Sequence, residues 1–356
     1  MTDKTPACNL QAALVSYCQP DHVRSVVELI VTHIPFVVFW VAAWWAFPIS
    51  YWLTLAFCVP AGGFLMRIFV IQHDCGHGAF FRRQAVNDWI GRVHGILTMT
   101  PYGVWQHSHA IHHATSGNLD KRGVGDVNIL TVSEYQGLPL IQRIVYRLYR
   151  HPLVLFGLGP AYVFLLRNRF PPGISTGDQR FWISAMGTNA MIAIVAGIMI
   201  YLLGARPFLF VQIPITLIAA SIGMWLFYVQ HQFEDTFWAE DKTWTSIDAS
   251  LNGSSHYDLP SVLGWITANI GIHHVHHLGS RIPFYRLPQV LRDFPDLNKA
   301  GHLTLFQSFA CTKLRLWDKD QRKLVSFSEA LMRQSDRPVR ISQPLQSPAH
   351  QNGHSF

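Results

Sequence analysis

The chain has 356 residues and a low charge content: 14% of its residues are charged, whereas 49% are hydrophobic. Soluble domains carry about 25% charged residues, so this composition predicts a membrane protein and excludes a disordered, collagen-like or disulfide-stabilised chain. The five cysteines are scattered without a CxxC pair, which argues against a structural zinc ribbon. The net charge of +7 suits an anionic membrane surface, and the dispersed basic residues do not indicate nucleic-acid binding.

Four apolar runs are each long enough to cross a bilayer, which requires about 20 such residues. They form two pairs, each joined by a tight turn, and cover residues 29–48, 51–71, 182–204 and 207–230. The first run begins too late and is too long for a cleavable signal peptide, so it is expected to remain as an anchor. We therefore predict an all-α integral membrane protein of two transmembrane helical hairpins, with an N-terminal segment (1–28), a membrane domain (29–330) and a disordered tail (331–356).

Two further apolar stretches, residues 89–99 and 152–166, are too short to cross a bilayer upright, and we expect interfacial or re-entrant helices there. Arg206 is the only basic residue in the two tight turns. Since cytoplasmic loops carry an excess of Lys and Arg, both termini and the long polar segments are expected to lie in the cytoplasm.

The 19 histidines of the chain include three clusters with helical spacing. Side chains separated by three or four positions share one face of a helix, so the imidazoles of such a cluster can reach one metal ion. The first cluster is HxxxH and the other two are HxxHH; their members are His73 and His77, then His109, His112 and His113, then His273, His276 and His277. His107 points away from this face by the same geometry.

Each cluster follows an even number of membrane crossings, so all eight imidazoles can converge on one side of the membrane. Eight ligands exceed the four that one structural zinc needs, which predicts two metals or a large surplus of ligands. Neutral imidazole suits iron, zinc, copper and nickel. His231, at the end of the fourth apolar run, is either a ninth ligand or an interfacial histidine that binds nothing.

The three histidine patterns resemble those of the membrane fatty acid desaturase family. The resemblance extends from about residue 25 to about residue 330, and within this family the chain resembles bacterial acyl-lipid desaturases of the delta-12/omega-6 type. It is carried by four stretches: IQHDCGHGAF (71–80), SGNLDKRGVG (116–125), VQHQFED (229–235) and NIGIHHVHHLGSRIP (269–283).

This resemblance implies a non-haem di-iron centre, dioxygen as co-substrate, a membrane acyl-lipid substrate and an external electron donor. It implies a bacterial inner-membrane enzyme whose fold is the four-span bundle with a cytoplasmic histidine-rich cap. The metal ligands implied are His73, His77, His109, His112, His113, His273, His276 and His277, with His231 matching an additional family histidine. His256 and His274 stand beside the motifs and are left out of the site.

Three other residues near the histidines have structural interpretations. Asp74 is expected to accept a hydrogen bond from a neighbouring imidazole and to orient it. Cys75 is expected to pack closely against a neighbouring helix rather than to bind metal. Trp105 and Trp265 are either lining residues of an acyl tunnel or, more simply, core residues.

Alternative functions remain open on the sequence. Membrane alkane hydroxylases and carotenoid hydroxylases or ketolases share the three-cluster pattern, and spacing does not distinguish hydroxylation from desaturation. An intramembrane zinc protease would read HDCGH as a variant of HExxH, but Asp74 would then replace the catalytic Glu and six histidines would have no role. A metal transporter or haem-binding protein usually holds its ligands within the spans, where His33 alone qualifies.

Desaturation requires electrons that the chain shows no means of collecting. No GxGxxG motif is present, and the scattered cysteines do not suit an iron–sulfur cluster. We therefore expect ferredoxin with its reductase as the donor, docking on a basic cytoplasmic face. The basic residues nearest to the histidine clusters are Arg82, Arg83, Lys121, Arg122, Arg281 and Arg286; they are also candidates for binding anionic lipid headgroups.

Overall fold

A computed structural model describes residues 6–171 and 178–336, and this part of the chain is predominantly helical. The helices in chain order are α1 Pro6–Leu14, α2 His22–Ala46, α3 Tyr51–Gly76, α4 Gln84–Leu97, α5 Tyr102–Thr115, α6 Val132–Gly137, α7 Leu140–Tyr149, α8 Gly159–Leu165, α9 Gln179–Leu203, α10 Ala205–His231, α11 Ser246–Asn252, α12 Ser261–Ile266, α13 His273–Leu278, α14 Leu287–Asp293, α15 Leu305–Cys311 and α16 Phe327–Asp336. The strands are β1 Leu130–Thr131, β2 His256–Asp258, β3 His302–Thr304, β4 Leu316–Asp318 and β5 Lys323–Val325.

Four of these helices, α2, α3, α9 and α10, are long and apolar enough to cross a membrane, as the sequence predicts. Helix α2 begins seven residues before the predicted start at residue 29, because Asp21 caps it by accepting a hydrogen bond from the Arg24 amide. Helix α3 continues beyond residue 71 to Gly76. Its last turn therefore carries His73 on the membrane-spanning helix itself rather than on a following loop.

The core of the bundle is centred on α3, which packs against α2, α4 and α10. Most of the apolar residues of α3 from Ala61 to Ile71 are buried, whereas Ala185 is the only buried residue of α9. An apolar helix with so little protein around it is stable where lipid surrounds it. The exposed face of α9 therefore agrees with a bilayer environment.

One charge of the second apolar run, Arg67, is buried within the bundle, with 1% of its side chain exposed. It forms an ion pair with Glu28 of α2, and its Nε donates to Thr32 Oγ1 at 3.0 Å. Its guanidinium also donates to the Trp265 carbonyl and lies 4.4 Å from the centre of that indole ring. Pairing satisfies this charge inside an apolar bundle. Trp265 packs over the guanidinium but is 39% exposed, so it is not the core residue that the sequence favoured.

The two shorter apolar stretches form short helices outside the four spans. The first lies in α4, which begins at Gln84 and exposes Trp89 and Val93. The second consists of the π-helical segment Val154–Leu158 followed by α8. Just before it lies α7, an amphipathic helix with an exposed apolar face. Such helices suit the plane of the membrane interface.

The polar segments between and after the spans fold into a cap that includes two small sheets. Strand β4 lies between β1 and β5, and β2 pairs with β3 in parallel. These strands have two or three residues each, so the all-α class predicted for the protein holds.

Helix α16 extends to Asp336 and thus occupies the first six residues of the segment that the sequence predicts to be disordered. It begins where Ser326 Oγ accepts from the Glu329 amide, and its Ala330 is buried in a small core with Tyr135 and Tyr146. These local interactions stabilise a helix that composition does not reveal. The rest of the predicted tail, 337–356, lies outside the described residues.

Two helical hairpins return the chain to the side of the membrane from which it started. This topology predicts on which side of the membrane four positions of the chain lie. A reporter fused near Lys121 and another near Arg292 should both read cytoplasmic, whereas fusions near Ile49 and Arg206 should read external. The measurement is the activity of a compartment-sensitive reporter. An external reading near Arg292 with a cytoplasmic one near Lys121 would mean that residues 152–166 cross the membrane.

Candidate metal centre

The nine candidate histidines come from four places that meet at one end of the spanning helices. His73 lies in the last turn of α3, and His77 is the residue that follows this helix. His231 is the last residue of α10. The remaining residues lie on two short helices: His109, His112 and His113 on α5, and His273, His276 and His277 on α13.

The structure groups five of these imidazoles into a first cluster, whose nitrogen atoms lie within 4.8 Å of one another: His73, His77, His109, His113 and His276. His109 Nε2 lies 3.0 Å from His77 Nε2 and 3.1 Å from His113 Nε2. His113 Nε2 is in turn 3.1 Å from His276 Nε2. The first cluster therefore combines residues from all three histidine motifs.

The other four imidazoles form a second cluster: His112, His231, His273 and His277. His231 Nε2 lies 3.2 Å from His112 Nε2 and 3.0 Å from His273 Nε2. The sequence left His231 undecided, and the structure positions it between two motif histidines. The two clusters are adjacent, since the rings of His113 and His277 stack with centroids 4.1 Å apart.

Each HxxHH motif is divided between the clusters, a feature that spacing alone does not predict. On α5 the i and i+4 residues, His109 and His113, join the first cluster, and the i+3 residue His112 joins the second. On α13 the division is reversed: the i+3 residue His276 joins the first cluster, and the i and i+4 residues join the second. Residue i+3 lies about 60° to one side of residue i around the helix axis and residue i+4 about 40° to the other, so i+3 and i+4 point about 100° apart and facing helices can serve two centres.

Three imidazoles are held from outside by hydrogen-bond acceptors at Nδ1. His73 Nδ1 lies 3.1 Å from Asp74 Oδ1, the orienting contact expected from the sequence. His112 Nδ1 lies 2.5 Å from Asp126 Oδ1, and His231 Nδ1 lies 3.1 Å from the Gly253 carbonyl. Carboxylate and carbonyl oxygens only accept, so each Nδ1 carries the proton and each Nε2 presents a lone pair to its cluster.

The sequence does not indicate that Asp126 and the Gly253 carbonyl orient cluster histidines. Asp126 lies in an irregular segment after α5, and Gly253 follows α11. Neither has a spacing relation to its histidine, because the contacts join segments 14 and 22 residues apart. A glycine carbonyl carries no side-chain signal at all.

The nitrogen atoms of the two clusters fit bound cations. His112 and His231 both use Nδ1 as a donor, yet their Nε2 atoms face each other at 3.2 Å. Two facing lone pairs repel, and a cation between or beside them removes that repulsion. His73 Nε2 is likewise buried and has no hydrogen-bond partner among the described residues. Nine imidazole nitrogen donors suit first-row transition metals.

The protonation states of six cluster histidines suit the binding of a metal ion. Burial, followed by the proximity of other imidazoles, lowers the pKa of the cluster histidines that lie outside the spans well below the usual value for histidine. These residues are His77, His109, His113, His273, His276 and His277. They are therefore neutral near pH 7, which is the form that binds metal.

Aromatic and small residues close the site on one side. The Trp105 ring stacks on His109 with a centroid distance of 4.6 Å. Gly76 makes this approach possible, because a Cβ at that position would lie 2.7 Å from the Trp105 ring. Trp105 therefore packs against the imidazoles. Cys75 is buried and belongs to neither cluster, in agreement with its expected packing role.

Two histidines beside the motifs stay outside both clusters, as expected. His107 is exposed on α5 and packs against Phe181. His274 is fully buried and has His256 as its ring neighbour at 5.6 Å. Burial gives His274 a packing role, so its replacement would cost stability even though it lies off the clusters.

The six basic residues near the motifs are not equivalent. Lys121 pairs with Asp241 at 2.6 Å, and Arg122 pairs with Glu134. The other four, Arg82, Arg83, Arg281 and Arg286, form no ion pair within residues 6–171 and 178–336. The basic surface available to an anionic partner is therefore smaller than the sequence indicates.

Comparison with known proteins identifies relatives over nearly the whole chain. The family model for fatty acid desaturases matches residues 42–309, which include all three histidine motifs. A fatty acid desaturase of Bacillus subtilis is 43% identical over 354 residues, covering 99% of this chain and 98% of the relative. An sn-1 oleoyl-lipid 12-desaturase of Synechocystis is 26% identical, with 68% and 67% coverage. An sn-1 acyl-lipid omega-3 desaturase (ferredoxin) of Nostoc is 27% identical, with 78% and 77% coverage.

The division into two clusters predicts the metal content of single variants. His231→Ala removes one of the four imidazoles of the second cluster, so bound metal should fall from about two ions per chain to about one. His107→Ala, on the exposed side of α5, is the control and should retain about two ions. The measurement is elemental analysis of purified protein with unchanged helicity. Full metal occupancy in His231→Ala would contradict its role as a ligand.

Proposed function

The chain belongs to the fatty acid desaturase family and is an oxidoreductase that desaturates fatty acids; from this premise we propose that it introduces a double bond into an acyl chain of a membrane lipid at a dioxygen-dependent di-iron centre. The observation that carries the proposal is the pair of adjacent imidazole clusters at the end of the membrane-spanning helices. This site lies at the end of helices long enough to cross a bilayer, which favours a substrate held in that bilayer.

We assign the nine cluster histidines as the iron ligands. The first cluster would hold one iron through His73, His77, His109, His113 and His276. The second would hold the other through His112, His231, His273 and His277. Support comes from the inward Nε2 lone pairs, the outer acceptors on Nδ1, and the absence of carboxylates from both groups within the described part of the chain.

When bound, a pair of irons supplies the activation of dioxygen and the removal of hydrogen from an unactivated C–H bond. The residues of the chain orient the imidazoles and exclude water from one side of the site. Asp74, Asp126 and the Gly253 carbonyl fix the orientation of three imidazoles. Trp105 and Phe227 pack against imidazoles of the first and second cluster and exclude water from that side.

The net reaction defines what the surroundings must supply. Two hydrogens leave adjacent carbons of the acyl chain, a donor supplies two electrons, two protons enter, and dioxygen is reduced to two waters. One relative carries ferredoxin in its name, and we propose ferredoxin with its reductase as the donor here. Lys121 and Arg122 are already paired, so steering of an acidic carrier would depend on Arg83 and Arg281, exposed arginines near the motifs that form no ion pair within the described residues.

We propose that the histidine clusters and both termini lie on the cytoplasmic side of a bacterial inner membrane. The two tight turns carry a single basic residue, Arg206, and the capping segments carry most of the others. This asymmetry follows the positive-inside rule.

The alternative reactions have less support. The relatives named above are desaturases, which favours desaturation over hydroxylation. In a zinc protease of the HExxH type the acidic residue must face the bound water as a base. Here Asp74 accepts from His73 through Oδ1 and from the Phe284 amide through Oδ2 at 2.7 Å, so both oxygens have structural partners.

Product mass separates desaturation from hydroxylation. In a host without polyunsaturated lipids, expression should yield fatty acids that are two hydrogens lighter than their precursors, with a new double bond located by chromatography and mass spectrometry. His113→Ala, which removes an imidazole of the first cluster, should abolish the product. A product one oxygen heavier would contradict desaturation, and full activity of His113→Ala would contradict the site assignment.

A further inference from the structure

A groove of about 530 Å³ opens on the surface where the start of α2 meets the segments that follow the first and third histidine motifs. Arg82 comes from the segment after the first motif, and Arg286 from the segment after the third. Asp21, His22 and Val23 line its α2 side. None of these residues has a role in the metal centre described above.

The groove is positively charged. Arg82 and Arg286 line it from separate parts of the chain, and neither forms an ion pair within the part of the chain that the structure describes. The single carboxylate, Asp21, is directed to the start of α2, where its side chain accepts from the Arg24 amide at 3.1 Å. Two guanidinium groups without a carboxylate partner favour an anion, and phosphate oxygens match their donor geometry.

One side of the groove continues into the lipid-facing surface. Val23 is 75% exposed, and Val26, Val27 and Ile30 continue this exposed apolar face along α2. Because α2 is a candidate membrane span, this face borders the hydrocarbon region. An occupant of the groove thus meets basic groups at one end and apolar surface at the other, which is the pattern of an anionic headgroup with acyl chains.

The groove is connected to the first imidazole cluster through short contacts. The Asp21 amide donates to Tyr285 Oη at 2.9 Å, beside Arg286. The adjacent Phe284 amide donates to Asp74 Oδ2 at 2.7 Å, and Asp74 holds His73. The wall of the groove is therefore part of the segment that supports the metal ligands.

We propose that this groove binds the phosphate of a membrane glycerophospholipid and makes phospholipid-bound acyl chains the preferred substrate over acyl chains of lipids without phosphate. The proposal rests on the proposed function. The concave shape and the lipid-facing wall favour a lipid over a carrier protein, for which the exposed Arg83 and Arg281 outside the groove are the more accessible charges.

The test compares two lipids with the same oleoyl chains, phosphatidylglycerol and monogalactosyldiacylglycerol, in detergent micelles. The double variant Arg82→Gln/Arg286→Gln should raise the KM for phosphatidylglycerol about tenfold, since two charged hydrogen-bonding groups are lost. The KM for the galactolipid and for ferredoxin should not change. Arg92→Gln is the matched control, because Arg92 is an exposed arginine of α4 that packs over Trp89 outside the groove.

An equal rise in KM for both lipids, or a raised KM for ferredoxin with lipid preference unchanged, would overturn the proposal.

A binding measurement distinguishes failure of this proposal from failure of the proposed function. Native mass spectrometry should show phosphatidylglycerol bound more tightly than galactolipid, and this difference should disappear in the double variant. If that difference is found while the wild-type protein forms no double bond, the proposed function fails and the groove assignment stands. If desaturation occurs without the difference, the groove assignment fails. Displacement of the lipid by inorganic phosphate would mean a free-phosphate site and would also overturn it.

Discussion

The structure depends on nine imidazoles whose ring nitrogens converge in two adjacent clusters at the end of a membrane bundle. A buried polar atom without a partner costs about 1–3 kcal/mol, so this arrangement without cations would oppose the packing of the helices that carry it. With cations, the same nitrogens join α3, α5, α10 and α13. Metal binding at these clusters would therefore be thermodynamically linked to the folding of this end of the molecule.

The rest of the architecture brings these four helices to one point. The span α3 continues to Gly76 and ends among the ligands, and α10 ends on His231. The ion pair of Arg67 with Glu28 joins α2 to α3, and the Arg67 guanidinium also binds the Trp265 carbonyl shortly before α13. A change in this buried network would therefore move ligand-bearing segments as well as spanning helices.

The sequence predicts the features that periodicity and composition encode. Long apolar runs predict the four spans, and the i, i+3, i+4 spacing identifies eight of the nine cluster histidines. The division of each HxxHH motif between two clusters depends on how α5 and α13 face each other, which is a tertiary property. The same holds for Asp126, for the Gly253 carbonyl and for the pairing of Lys121 with Asp241, since each contact joins segments without a spacing relation. Helix α16 depends on a local cap and on burial of Ala330, which composition does not register.

We propose that two adjacent centres with nitrogen ligands hold two irons. X-ray diffraction from the purified protein, with anomalous data collected on both sides of the iron edge, tests it most directly. The account predicts two anomalous peaks, one within the five-imidazole cluster and one within the four-imidazole cluster, with His112 and His231 both bound to the second ion. A single peak, a zinc signal in place of iron, or a second ion bound without His231 would contradict it.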